Sequence, residues 1–153
     1  MRSAVSGLLF AVERAGETLH AVEKTMASVL VVDDDKAVRI LVKDILETRH
    51  HESIGVGSAK EALQFCRQKS FDLIVIDLWM PGINGLELIR ALRTASIKVP
   101  VLLISGNLDD VSLRVAKLFD AVETLSKPFG MVELLAAVDK TLNHHPRKRA
   151  KAS

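Results

Sequence analysis

Three short, unbroken apolar runs punctuate the chain: Val29–Val32, Leu73–Ile76 and Val101–Ile104. None is long enough for a helix, each is rich in β-branched residues, and none alternates with polar positions. That is how a central strand covered on both faces reads. Ser53–Val56 and Ala121–Leu125 are weaker strand candidates, the second lying just ahead of Lys127-Pro128. Between the runs, apolar residues recur at threes and fours. Val38, Leu41, Val42, Ile45 and Leu46 predict one helix face, Ala59, Ala62, Leu63 and Cys66 a second, and Leu88, Ile89 and Leu92 a third. Val111, Val115, Leu118 and Phe119 predict a fourth, and Met131, Leu134, Leu135, Val138 and Leu142 a fifth. Ser58, with Glu61 three residues on, has the capping-box arrangement, and Asp35 and Asp109 are candidate N-caps. Five strands alternating with five helices predict an α/β domain: a parallel sheet between two helical layers, joined by right-handed crossovers.

In such sheets the working residues gather beyond the carboxyl ends of the strands. There the sequence offers Asp33, Asp34 and Asp35 after the first strand, and Asp77, then Leu78-Trp79-Met80-Pro81-Gly82, after the third. Ser105-Gly106 follows the fourth strand and Lys127-Pro128-Phe129 the fifth. Carboxylates this close repel one another, and a hard divalent cation with oxygen ligands is the usual remedy. Mg²⁺ fits that description. An Asp nucleophile can form an aspartyl phosphate, and phosphoryl transfer asks mainly for positioning and positive charge, which a metal and a lysine supply from two sides. Each feature has a plainer reading in isolation. Three Asp in a row make a solvated turn, Lys127 a solvated helix start, and Ser105 a hydroxyl bonded to local backbone. Asp35 reads as a helix N-cap rather than a ligand.

Composition narrows the picture further. Apolar residues make up 48% of the 153, enough to fill a core. The formal charge of +2 is uneven, because Arg147, Lys148, Arg149 and Lys151 stand in the last ten residues with no acid among them. The rest of the chain is mildly acidic, which argues against a nucleic-acid surface on the domain itself. One cysteine, Cys66, rules out an internal disulfide and suits a reducing, cytoplasmic setting. Its apolar neighbours predict a buried thiol. The five histidines show no metal-ligand spacing and read as surface residues. No apolar run approaches the ~20 residues needed to cross a bilayer.

Taken together, Val-Leu-Val-Val-Asp-Asp-Asp at 29–35, Ile-Asp-Leu-Trp-Met-Pro-Gly at 76–82 and Asn84-Gly85-Leu-Glu-Leu-Ile resemble a response regulator receiver domain. Pro100-Val-Leu-Leu-Ile-Ser105-Gly106 and Lys127-Pro128-Phe129 complete the resemblance, which covers about Ala27 to Asn143. It implies a flavodoxin-like doubly wound sheet of strand order 2-1-3-4-5. Asp77 would be the phosphoacceptor, Ser105 the switch hydroxyl and Lys127 the partner of the phosphoryl group. Mg²⁺ would be held by Asp34 directly, by Asp33 mostly through water, by Asp77, and by the backbone carbonyl of Trp79. The Lys127-Pro128 bond would be cis. The partners implied are a sensor histidine kinase or phosphotransfer protein and a downstream target protein. The chain would not be an enzyme beyond promoting its own phosphorylation and slow dephosphorylation.

Two positions depart from the family pattern. Thr124 stands where receivers often carry an aromatic residue three before the lysine, so signalling is expected to rely on loop and fourth-helix movement. Trp79 is large for its place two residues after the acceptor, where its indole either shields the phosphoryl group or packs on the loop. The same tryptophan excludes a haloacid-dehalogenase type phosphohydrolase, whose general acid is an Asp at that position. A receiver-like interaction module that works without phosphorylation is the remaining alternative.

The domain reading assigns 1–26 to a helical extension, 27–143 to the receiver and 144–153 to a basic flexible tail. Val5, Leu8, Val12, Ala15, Leu19, Val22 and Met26 form a heptad seam. It is open to three readings: a dimerising helix, one that docks on the receiver, or a stretch before a native start at Met26. A stand-alone receiver is expected, with neither an output domain nor a helix-turn-helix for DNA.

Overall fold

The structure, a computed structural model, describes residues 26–107, 109–120 and 122–144. The heptad seam of the extension, up to residue 25, and the basic residues of the tail lie outside them. The elements run β1 (Ser28–Val32), α1 (Lys36–Glu47), β2 (Glu52–Val56), α2 (Ala59–Gln68), β3 (Leu73–Asp77) and α3 (Gly85–Thr94). They continue with β4 (Val101–Ser105), α4 (Asp110–Lys117), β5 (Val122–Ser126) and α5 (Met131–His144). All neighbouring strands pair in parallel, in the order β2-β1-β3-β4-β5. This is the doubly wound arrangement expected.

Alternate side chains of the central strands fill two cores. Leu30, Val32, Ile74, Ile76, Val101 and Leu103 pack with Ala59 and Ala62 of α2, Leu88, Ile89 and Leu92 of α3, and Ala116 of α4. Val29, Val31, Leu73, Val75, Leu102 and Ile104 pack on the opposite side with α1 and α5, chiefly Leu46, Leu134 and Val138. Both faces exclude water, so neither tolerates a polar position, and the runs are therefore continuous.

Side-chain caps set the helix starts. Asp35 Oδ1 accepts from the Ala37 N–H at 2.9 Å, Ser58 Oγ from Glu61 at 3.2 Å, Asn84 Oδ1 from Glu87 at 2.9 Å and Asp109 Oδ1 from Ser112 at 2.7 Å. The predicted face of α4 differs from the observed one. Capping at Asp109 and termination at Lys117 turn Ser112 and Ala116 inward, leaving Val111 65% exposed and Leu118, past the last turn, 82% exposed. Leu41 on α1 is also half-exposed. His51 is buried rather than on the surface. Its Nδ1 accepts from the Ala27 N–H at 3.0 Å and so ties the entry to β1 to the turn before β2. Cys66 is half-buried, and burial pushes its thiol up to about 11, in keeping with an unreactive role. Among the described residues no helix is long and apolar enough to cross a membrane.

Candidate functional site

The parallel register delivers four strand ends to one crevice. β3 and β4 each run one residue past their apolar stretches, so Asp77 and Ser105 are the last residues of those strands rather than the first after them. Asp77 lies level with Ile104, and Ser105 with Ser126. Backbone bonds from Leu78 N–H to Ile104 O and from Lys127 N–H to Ser105 O, both 2.8 Å, carry the pairing into the loops. The Lys127-Pro128 peptide is cis, as expected.

Around that crevice, carboxylate oxygens of Asp33, Asp34 and Asp77 lie within 4.8 Å of one another. Asp33 and Asp77 are buried and Asp34 is exposed. Lys127 Nζ stands 3.3 Å from Asp33 Oδ2 and 3.6 Å from Asp77 Oδ1. Ser105 is fully buried, and its Oγ accepts from the Asn107 N–H at 3.1 Å. Of the predicted residues, Asp33, Asp34, Asp77 and Lys127 are thus brought together, while Ser105 ends the neighbouring strand. Trp79 offers its N–H to the Asp77 carboxylate, while its indole N–H reaches the Asn107 carbonyl at 3.5 Å, a weak link between the loops after β3 and β4.

Burial, and next the charge of Asp33, hold the Asp77 carboxyl above the ordinary aspartate range. Asp34 adds to the rise, and Lys127 and the Trp79 N–H oppose it. The folded state therefore binds this proton more tightly than the unfolded chain does. Stability should fall as pH climbs from the ordinary value of 3.8 through the raised one. At neutral pH and without divalent cation, Asp77→Asn is expected to melt higher than wild type, because it removes a charge that the folded site disfavours. The difference should vanish below pH ~3.8, where the carboxyl is neutral in both states. Thermal scans across pH in a chelating buffer check this, and an equal or lower Tm at pH 7 would contradict it.

The donor set suits a hard cation: three carboxylates, two of them buried, with no sulfur or imidazole among the clustered ligands. The sequence reading gave no role to two residues near the site, Asn107 and Gly85. Asn107 engages both Ser105 and Trp79, a relation visible only in three dimensions. Gly85 opens α3 so close to β3 that a Cβ there would stand 2.7 Å from the Asp77 carbonyl oxygen. A glycine just inside a helix start, after the Asn84 cap, was its one available signal.

The family described as "Response regulator receiver domain" matches residues 29–139. The chain belongs to that family. The chain is 34% identical over 122 residues to the regulatory protein VirG of Rhizobium rhizogenes, covering 79% of its own length and 50% of that protein. It is 34% identical over 138 residues to nodulation protein W of Bradyrhizobium diazoefficiens, covering 90% of this chain and 60% of that one. Among solved structures, the Vibrio cholerae chemotaxis protein CheY4 superposes with a TM-score of 0.73 at 30% identity, covering 76% of this chain and 99% of CheY4. The chain thus spans only half to three-fifths of these two curated relatives.

Proposed function

We propose that the receiver accepts a phosphoryl group on Asp77 from a phosphohistidine of a sensor kinase or phosphotransfer protein and passes the signal on by protein contact. The observation that carries this reading is a buried carboxylate at the end of β3, with Lys127 Nζ 3.6 Å away and two further carboxylates converging on it. An Asp77 carboxylate oxygen attacks phosphorus as the P–N bond to the donor imidazole breaks, the electron pair leaving with the nitrogen. Asp33, Asp34 and Asp77 would hold Mg²⁺, joined by the Trp79 carbonyl. The bound ion would supply positive charge to the phosphoryl oxygens. Lys127 approaches the same oxygens from β5, and it needs little movement because its ammonium already faces Asp77. The Ser105 hydroxyl, now accepting from the Asn107 N–H, can turn to donate to a phosphoryl oxygen. That exchange would move the loop after β4, and phosphorylation would favour the conformation that makes the new bond. Thr124, half-buried mid-strand in β5, offers no aromatic ring to relay the change. A reducing, cytoplasmic setting suits the single thiol. The receiver would act as a switch rather than as an enzyme.

Incubation with acetyl phosphate and Mg²⁺, followed by intact mass, is the test. Wild type is expected to gain one phosphoryl group and Asp77→Asn none. A wild type that stays unmodified with Mg²⁺ present would leave the phosphorylation-independent interaction module as the better reading. Once the adduct is in hand, the half-exposed indole of Trp79 makes a kinetic prediction. Trp79→Ala should shorten the phosphoryl lifetime severalfold by admitting water, and an unchanged lifetime would reduce the indole to loop packing.

A further inference from the structure

Asp33 is anchored through every polar group it has. Its N–H donates to the Val56 carbonyl at 3.2 Å, and its Oδ1 accepts from the Asp35 N–H at 2.9 Å. Its Oδ2 faces Lys127 Nζ at 3.3 Å, and its carbonyl oxygen accepts from Arg39 Nη1 at 2.6 Å. The last bond comes from α1, outside the acidic crevice, and it is the shortest of the four.

Arg39 reaches that carbonyl along the backbone of β2, over Gly55 and Gly57. A Cβ on Gly55 would lie 3.4 Å from Arg39 Cδ and 3.3 Å from Lys43 Cδ, and one on Gly57 would lie 3.2 Å from Arg39 Nη1. Side chains there would crowd the path of the guanidinium. Glycine in and beside an edge strand weakens it, and a close approach by another group is the usual reason for its presence. Here the approaching group is Arg39.

We infer that Arg39 is a positioning residue for the divalent cation, resting on the Mg²⁺ reading of the site. By clamping the Asp33 carbonyl, it fixes the peptide that carries Asp33 and leads into Asp34. Both carboxylates then meet the metal from a preset frame. Mg²⁺ demands near-ideal geometry, and partners that orient ligands from behind contribute roughly 10–100-fold in metal affinity. The charge of Arg39 acts in the opposite sense, because a cation close to the site repels Mg²⁺. Removing it should tighten binding if charge dominates and weaken binding if position dominates. The two roles are separated by sign.

The experiment measures Mg²⁺ affinity of the full chain by titration calorimetry, with fluorescence of Trp79, the single tryptophan, as second readout. Arg39→Met keeps the aliphatic stem over the glycines and removes the donors. Arg39→Lys keeps the charge and loses the planar fork. Mg²⁺ affinity is expected to fall about tenfold or more in Arg39→Met and by a smaller factor in Arg39→Lys, with metal-free Tm values within a few degrees of wild type. Binding as tight as wild type, or tighter, in both variants overturns the inference. A wild type that binds no Mg²⁺ overturns the metal reading beneath it, and the two failures are told apart by that one titration.

Discussion

Lys127→Ala is expected to take phosphate from acetyl phosphate about 10²–10³-fold more slowly than wild type, the usual loss when one preorganised electrostatic donor is removed. The ammonium lies 3.6 Å from one Asp77 oxygen and 3.3 Å from Asp33, so it faces the place where the transferring group would develop charge. The same substitution strips Asp33 and Asp77 of the ammonium beside them. Mg²⁺ binding should consequently tighten, and a slow rate could not be blamed on a lost metal. Pseudo-first-order adduct formation at saturating Mg²⁺, read by mass, provides the measurement. A rate within a few-fold of wild type would confine Lys127 to balancing charge in the resting site.

Gly85→Ala should cost the most stability of any single methyl group added near the site. The new Cβ would stand 2.7 Å from the Asp77 carbonyl oxygen, 2.9 Å from Leu78 Cα and 3.0 Å from Ile76 Cγ2. The first two are backbone atoms of the strand end and cannot swing away. The Gly85 N–H also donates to the Leu78 carbonyl at 2.8 Å, so α3 cannot retreat without losing a buried bond. Overpacking of this kind costs roughly 1–3 kcal/mol, and contact with backbone places this case at or above the upper end. Urea unfolding gives the value. Phosphorylation should suffer as well, since a 1 Å displacement of a reacting group can cost on the order of 10²-fold. Gly82 is the internal control. Its φ of +82° makes any side chain strained there, yet a Cβ would meet nothing within 4 Å. Gly82→Ala should therefore cost about 1–2 kcal/mol, the strain of a left-handed conformation alone, and leave the acceptor in place. Equal losses at the two glycines would refute the close-approach argument.

Hydrophobic patterning made the centre of this fold legible and its margins less so. Unbroken runs such as Leu73–Ile76 have one physical explanation, burial on both faces, and the strands formed where they stand. The site was legible for a related reason: in a parallel sheet the residues that end adjacent strands must meet. Position along the chain thus located Asp33, Asp77, Ser105 and Lys127 without any knowledge of their side-chain contacts. The fourth helix and its Asp109 cap stand where expected, but Val111 and Leu118 were misplaced on its inner face, because apolar spacing gives a stripe and not its rotation, which the packing of Ala116 decides. His51 was misread because its burial depends on one backbone N–H, that of Ala27, twenty-four residues earlier. Arg39 on Asp33 and Trp79 on Asn107 are of the same kind. Such pairs are fixed by where elements come to rest, and no local pattern announces them.

The ion pair between Asp33 and Lys127 joins residues 94 apart in the chain. Its consequence concerns timing. The ribosome delivers all three clustered carboxylates before their ammonium partner, so a growing chain carries an incomplete acceptor until Lys127 has emerged and β5 has paired with β4. On the phosphorylation reading, competence to receive a signal would coincide with completion of the sheet, and an unfinished copy would draw little phosphate away from finished ones.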